Sequence, residues 1–567
     1  MPNSSRLDPT PRQAEIRDHT PLGLVVTAPA GCGKTEALAL RVRGFLDRGV
    51  VVPPRKILML TFTNRSRENI EGRLQEHLTL SEVSRYITVH NLHGFSARIV
   101  EAHGNTIGLD EKWEISKTDW VSERLRDNGL PTKTRNRIKR HLKVSKLETR
   151  TDVEVLEHLE RHGHRIAYEL ERERQQNMII TYDDLPRLAD LILKNDDVAD
   201  LYRQHFACVI VDEFQDLTLQ QLSIIQRIGR ERTTYAGDLA QGIYGFAGAA
   251  PERVLHAALA EGIAAITFAE SHRSSPAVLD LVNSLIPWTL GDKLECSVPA
   301  SWPGGGLAAH RVASDVAEEA NWVMEFASTL LDLAPSHRIG VLARSKMRRE
   351  AVDAKLTERR NTFDWYRWDD PIFDSRIALY LKSSLRKISN QQLSGPEFEE
   401  HVRANIDPLE LQDPITKQGL VEACGWVRDL SAQGVSKVDI IDRIKIGEND
   451  TVLTAAGLHL VTGHSGKGQQ FDWVIVLGVE SDSIPSRHAK TQDELVEEAR
   501  VLSVMISRAR HGVITTQVRT IDLPWRSNIK VQPSRFQEAL NSSPSYRDWE
   551  SARQWLNARN WEDIESR

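Results

Sequence analysis

Leu22-Gly23-Leu24-Val25-Val26-Thr27 runs directly into Ala28-Pro29-Ala30-Gly31-Cys32-Gly33-Lys34-Thr35, and Glu36–Val42 follows with helical spacing. The apolar, β-branched run reads as a buried strand. The turn after it has the pattern Ala-x-x-x-x-Gly-Lys-Thr, a phosphate-binding loop between strand and helix. Gly31 and Gly33 let backbone N–H groups turn inward around phosphate oxygens. Lys34 is placed to reach β- and γ-phosphates, Thr35 offers a hydroxyl to Mg²⁺, and the helix N-terminus favours the anion. Ala28, Pro29, Ala30, Gly31, Cys32, Gly33, Lys34 and Thr35 are thus candidate ATP-cradling residues. Cys32 fills the loop as a small residue, and its position gives a thiol the setting for a low pKa.

A second strand-like run, Cys208-Val209-Ile210-Val211, ends in Asp212-Glu213. In a parallel α/β sheet the carboxyl ends of strands face the ligand crevice, so the pair belongs beside the phosphate loop. Asp212 is the candidate Mg²⁺ ligand and Glu213 the candidate general base for an attacking water. Further short apolar runs at Ile57–Thr61, Ile266–Phe268, Ile339–Ala343, Leu458–Thr462, Val474–Val479 and Val513–Thr516 alternate with helical segments. That alternation predicts an α/β fold with strands covered on both faces.

The chain has 567 residues, 73 basic and 79 acidic, for a formal net charge of −6. The length suggests ~3–4 domains or subdomains. A hydrophobic share of 40% excludes wholesale disorder. No apolar run approaches the ~18 residues of a membrane span. Met1-Pro2-Asn3-Ser4-Ser5 lacks a basic-then-apolar signal design. Four scattered cysteines, without Cys-x-x-Cys spacing, fit a reducing cytoplasm. The acidic balance taken alone discourages a nucleic-acid partner. Within Pro131–Arg150, however, eight basic residues face one acid, Glu148, and this run is read as a local contact for DNA phosphates. Ile377, Leu381, Leu385 and Ile388 predict an amphipathic helix. Trp549, Trp555 and Trp561, six apart, do not share one helix face, and the tail carrying them is read as a docking segment.

The acid pair continues as Asp212-Glu213-Phe214-Gln215-Asp216, which resembles the second motif of the UvrD/Rep/PcrA family of superfamily 1 helicases. The resemblance runs along most of the chain. It includes Pro11-Arg12-Gln13, Leu60-Thr61-Phe62-Thr63-Asn64-Arg65 and Ile180–Leu185. It continues through Gly237–Ala249, Ser271-His272-Arg273-Ser274, Thr462–Gly468, and Glu498–Arg500 with Ser507-Arg508-Ala509. It implies two RecA-like lobes, each a parallel sheet flanked by helices with a helical insert. Residues 1–105 and 200–275 would form the ATP-binding lobe, with 106–199 its accessory insert. Residues 276–375 and 451–535 would form the second lobe, with 376–450 a reduced insert and 536–567 a tail.

The resemblance also implies roles. Gln13, His272, Gly468 and Gln470 would contact the nucleotide's base and ribose. Gln241 would sense the γ-phosphate, and Arg273 and Arg508 would act as arginine fingers. Phe62, Tyr244 and Phe246 would stack on bases of single-stranded DNA. Thr61, Thr63, Asn64, His93, Thr462 and His464 would bond its phosphates or sugars, with His90 an alternative to His93. The implied activity is ATP- and Mg²⁺-dependent 3′→5′ movement on single-stranded DNA and opening of duplex junctions.

Some positions depart from the family pattern: Glu36, His272, Gln469-Gln470, Phe246 and Ala247 stand where Arg, Tyr, a Glu-containing motif, Trp and Arg are usual. A rival reading is a nucleotide-gated DNA sensor that activates a separate nuclease in anti-phage defence, with little unwinding of its own. The Phe214-Gln215-Asp216 continuation speaks against an RNA-helicase class.

Overall fold

The computed structural model describes residues 9–567 apart from 30, 117–118, 128–129, 261–262, 359–362, 369–371, 374, 390–392, 394–396, 405, 407–413, 433, 447–453 and 524–525. The candidate loop residue Ala30 lies outside the described residues. The chain divides into two compact units: Met1–Arg273 with Thr289–Ser297, and Ser274–Trp288 with Val298–Arg567.

The first unit is built on six strands: β1 (Leu24–Thr27), β2 (Lys56–Thr61), β3 (Ile87–Asn91), β4 (Phe206–Asp212), β5 (Thr233–Gly237) and β6 (Ala265–Thr267). Their order is β3-β2-β4-β5-β1-β6, and every pairing is parallel. Buried on both faces, Val25, Leu58, Val209, Val211 and Tyr235 join one core with Phe95, Ile99, Leu188 and Ile225 from flanking helices. β1 and β4 flank β5, so their carboxyl ends, carrying the phosphate loop and the acid pair, lie at the same edge of the sheet on either side of the β5 end.

The accessory insert has its own small core. Leu125, Ile138, Leu142, Val155, Leu159, Ala167 and Leu170 pack together from four helices, Trp120–Asp127, Thr132–Lys146, Asp152–Arg161 and Arg165–Gln176. A buried ionic cluster ties these helices to Asp184 and Arg187, at the start of helix Leu185–Leu193, which packs on the unit's main core. Asp184, fully buried, lies 2.9 Å from Lys146 and 2.9 Å from Arg187, and Glu171 lies 3.0 Å from Lys146 and 2.6 Å from Arg174. This corrects part of the basic-run reading. Lys146 is a structural cation at 3% exposure, and Arg150 is taken by Glu148 and the Ser145 carbonyl. Arg137 and Arg140 on the same helix remain exposed.

The second unit carries seven strands: β7 (Leu307–Ala313), β8 (Arg338–Ala343), β9 (Trp365–Arg367), β10 (Gly457–Thr462), β11 (Phe471–Leu477), β12 (Ala509–Val518) and β13 (Tyr546–Asp548). Their order is β9-β10-β8-β11-β12-β7-β13, again all parallel. The helical insert after β9 is a separate cluster. Ile377, Leu381, Leu385 and Ile388 are all buried there, as their spacing predicts, against Phe398, Leu420 and Val427. A short parallel pair, Ile372–Phe373 with Lys445–Ile446, closes its base.

The tryptophan-bearing tail is not a docking segment. β13 adds to the sheet edge at β7. Helix Trp549–Asn557 then lays Trp549 edge-on against Trp322 and Phe326, at 4.9 and 5.6 Å between ring centroids. The chain breaks at Ala558–Asn560 and restarts as Trp561–Glu565, which puts Trp561 on Trp473 at 5.8 Å. Two helices resolve a spacing that one helix could not. Among the described residues no helix is long and apolar enough to cross a membrane.

Candidate active site and nucleic-acid face

The loop after β1 turns through Gly31 and Gly33, both left-handed at φ 87° and 78°, where a side chain would be strained. Space excludes one as well. A Cβ on Gly31 would meet the Arg273 side chain at 2.5 Å, and one on Gly33 would meet the Gln13 amide at 2.8 Å. The loop opens directly into helix Lys34–Asp47, whose Ala37, Leu38, Val42 and Phe45 are buried. Cys32 is buried, and burial pushes its thiol up to about 12. It is a neutral filler and not a low-pKa thiol.

Lys34 Nζ sits 2.6 Å from Glu213 Oε2 and 3.2 Å from Asp212 Oδ1. Burial opposes the charge on Lys34, but the two carboxylates outweigh it and hold the ammonium's pKa above its ordinary value. Burial raises Asp212 despite Lys34 beside it. Glu213 itself adopts φ 64°, ψ 50°, a conformation few non-glycine residues hold. Gln215 is fully buried behind it and donates from Nε2 to Glu213 Oε2 at 2.5 Å. Gln241 Nε2 donates to Asp238 Oδ2 at 2.8 Å, which sets it at the end of β5. Backbone N–H of His272 donates to the Gly31 carbonyl at 3.1 Å, so the segment bearing Arg273 lies against the loop. Burial lowers the pKa of Arg273, while Cys32 and Glu213 pull the other way. The first unit thus gathers Lys34, Asp212, Glu213, Gln241 and Arg273 around one crevice.

Gln13 is 8% exposed and sits in helix Pro11–Asp18. Its carbonyl accepts the Thr10 N–H at 2.9 Å, completing a capping box, and its Nε2 faces Gly33. The buried Arg41 ties this helix to the first lobe's sheet through the Ile16 and Pro21 carbonyls and Thr234 Oγ1. Glu36 pairs with His77 at 2.6 Å on helix Asn64–His77. His272 is exposed.

The aromatic candidates form a ladder. Phe62 stacks on Tyr244 at 5.6 Å, and Tyr244 meets Phe246 edge-on at 6.0 Å. Phe246 is 68% exposed. A groove of about 390 Å³ adjoins them, lined by Phe62, Thr63, His93, Lys143, Tyr182 and Ala247 among others. His93 stacks on Tyr182 at 3.9 Å, and burial, with Lys143 nearby, pushes its pKa down to about 4. His93 is therefore a neutral hydrogen-bonding group at neutral pH, while His90 turns to stack on Phe95. The hydroxyls are partly engaged: Thr61 donates to the Thr63 carbonyl, and Thr63 caps helix Asn64–His77 through Ser66. The Asn64 side chain lies outside the described residues.

In the second unit, Thr462 bonds Ser465 across the turn after β10. His464 is half-buried, Gly468 is exposed at φ 84°, and Gln470 is half-buried. Arg508 is 1% exposed and donates to the Val504 carbonyl at 3.0 Å and to Ser507 Oγ at 3.1 Å. Two roles escaped the sequence reading. One is the bridging of Gln215. The other is the buried pairing of Arg348 with Glu319 and Glu480, at 2.6 Å each, which ties helices Val316–Leu333 and Lys346–Glu358 to the segment after β11.

This geometry agrees with comparison to known proteins. The family model described as the UvrD/REP helicase N-terminal domain matches residues 10–259, and the UvrD-like helicase C-terminal domain matches 428–519. Together they cover more than half of the chain. A relative named ATP-dependent DNA helicase UvrD2, from Mycobacterium tuberculosis, is 25% identical over 94% of this chain and 81% of its own length. One named ATP-dependent DNA helicase PcrA, from Staphylococcus epidermidis, is 23% identical over 92% of this chain and 85% of its own. With the phosphate loop, the acid pair and the order of the remaining motifs all in place, the chain belongs to the UvrD/REP helicase family.

Proposed function

We propose that the chain is an ATP-driven DNA motor that moves 3′→5′ along single-stranded DNA and separates duplex at junctions. The observation that carries the reading is the juxtaposition, in one unit, of Lys34 with Asp212 and Glu213 at the sheet's carboxyl edge, beside the exposed ladder of Phe62, Tyr244 and Phe246. Asp212 and Thr35 offer oxygen donors that suit Mg²⁺, which would neutralise charge on the nucleotide's phosphates. Glu213 would orient and deprotonate the attacking water, Lys34 and Arg273 would bind phosphate oxygens, and Gln241 would register the γ-phosphate. Arg508, in the second unit, would serve as an arginine finger, a role that rests on the family resemblance. Stacking on the ladder holds bases without sequence preference, as a translocating motor requires. The polarity rests on the family resemblance.

The test is ATP turnover with and without single-stranded DNA, beside unwinding of 3′-tailed and 5′-tailed duplexes. DNA should stimulate turnover, and only the 3′-tailed duplex should open. Turnover indifferent to DNA would refute the motor. DNA-stimulated turnover with neither duplex opened would favour a sensor that acts through a partner nuclease.

A further inference from the structure

Gln215 stands between two parts of the crevice. Its Oε1 accepts the backbone N–H of Asp238 at 2.9 Å, at the end of β5, and its Nε2 donates to Glu213 Oε2 at 2.5 Å. The Asp238 N–H is a donor only, so the amide can face one way: oxygen toward β5, nitrogen toward Glu213. Gln215 is 0% exposed. The approach is close enough that a Cβ on Gly237 would lie 2.3 Å from Gln215 Oε1 and 2.5 Å from the Phe214 ring. Only glycine there leaves room for the bridge. On its far side Asp238 accepts from Gln241 Nε2 at 2.8 Å and from the Ala240 N–H at 2.9 Å. A continuous bonded path therefore runs from the Glu213 carboxylate through Gln215 to the segment carrying Gln241.

We propose that Gln215 is a positioning residue that holds the Glu213 carboxylate in its water-activating orientation and couples it to the β5 end. The inference rests on the ATP-hydrolysing reading above. Glu213 Oε2 is met by Lys34 Nζ at 2.6 Å and by Gln215 Nε2. Lys34 is also the cation read as the phosphate contact. When its ammonium turns to phosphate oxygens, the Gln215 Nε2 bond still holds the carboxylate from the side of β5. A general base loses rate steeply with misplacement, by about 10² for a shift near 1 Å.

Gln215→Glu is the clean variant. It keeps the volume and an oxygen for the Asp238 N–H, but removes the donor to Glu213. Expected at pH 7.5 are kcat lower by about 10²-fold and KM for ATP within about threefold of wild type, with the melting temperature lowered by the buried carboxyl and recovering as pH falls. The new carboxyl, buried beside Glu213, has its pKa raised, and its protonated form regains an O–H to donate. Activity relative to wild type at the same pH should therefore recover as pH falls toward 6. Wild-type kcat in Gln215→Glu, an equal fold-loss at every pH, or a loss confined to KM would overturn the inference. Wild type and Glu213→Gln are run alongside. If wild type hydrolyses no ATP, or Glu213→Gln hydrolyses it at the wild-type rate, the proposed function fails and takes this inference with it. If both behave as expected and Gln215→Glu matches wild type, the positioning role alone fails.

Discussion

Lys34 Nζ stands 2.6 Å from Glu213 Oε2, so the cation read as the phosphate contact is paired with the carboxylate read as the general base. A nucleotide's phosphates would compete with that carboxylate for the same ammonium. Lys34→Ala removes the contact and takes a buried cation away from Asp212 and Glu213. Glu213→Gln keeps the shape and removes the base. ATP turnover should fall about 10²–10⁴-fold in Glu213→Gln, the range for loss of a general base, and at least as far in Lys34→Ala. Phosphate release in the presence of single-stranded DNA measures both. Turnover within tenfold of wild type in either variant would contradict the assignment.

Phe246 is 68% exposed and meets Tyr244 edge-on, so burial of its ring contributes little to folding. A base stacked on it is worth about 1–3 kcal/mol. Phe246→Ala should weaken single-stranded DNA binding by roughly 5- to 150-fold at constant salt, without lowering the melting temperature. Fluorescence anisotropy with a labelled oligonucleotide reads the affinity. An unchanged Kd would remove Phe246 from the DNA face.

The basic helix Thr132–Lys146 separates into two kinds of residue. Asp184 sits in a buried cluster with Lys146, Arg174 and Arg187, and removing it leaves three buried cations to share Glu171 and Asp152. Asp184→Ala should cost about 3–5 kcal/mol of stability in denaturant unfolding. Arg137→Ala and Arg140→Ala, at exposed positions, should leave stability unchanged. Each should reduce the salt slope of DNA binding by about 1. A salt slope identical to wild type in both would make the exposed side of this helix a solvated surface with no DNA contact.

The sheets were legible where burial demanded β-branched runs. Val209-Ile210-Val211 before two acids admits little else, and Leu24–Thr27 is fixed by the loop after it. β5, Thr233-Thr234-Tyr235-Ala236-Gly237, has no such run, yet all five residues are buried. Its polar threonines are tolerated because neighbours supply partners: Thr234 Oγ1 receives Arg41 and donates to the Leu22 carbonyl. Those partners come from over 190 positions away, where no local pattern records them. β7, Leu307–Ala313, was hidden by its small residues and His310. In the crevice, the residue types of the phosphate loop and acid pair announce their chemistry. Gln215 does not, since its role depends on a backbone N–H of the adjacent strand. Lys146 misled because its partners Glu171 and Asp184 are 25 and 38 residues away.

Acid should destabilise the fold well above the carboxylate range. Burial pushes His90, His93 and His310 down to about 4 and His511 to about 3, against 6.5 when unfolded. Between these values the unfolded chain binds protons that the folded chain refuses, so stability rises with pH there. The contribution is complete above pH 6.5 and is lost as pH falls toward 4. Melting temperature should decline steadily from pH 6.5 to 4.5, and His310→Gln, which removes one such group, should decline less steeply. A flat melting temperature across that interval would contradict the buried, neutral state of these rings.

Trp555 tests whether the tail is part of the second unit's core. It is 4% exposed, packs into the cluster of Leu307, Trp322, Val323 and Ile514, and donates its indole N–H to the Gly304 carbonyl at 3.3 Å. A docking segment could be truncated without harm. A core tryptophan leaves a cavity and an unpaired carbonyl, which together cost about 3–5 kcal/mol. Trp555→Ala should therefore lower the unfolding free energy by that amount, read as a lower denaturant midpoint at unchanged m. Trp555→Phe, which refills most of the volume but cannot donate, should lie between the two. The candidate phosphate-loop and acid-pair residues belong to the first unit, so nucleotide binding by intact Trp555→Phe should stay close to wild type. A Trp555→Ala variant as stable as wild type would return the tail to the role of a detachable segment.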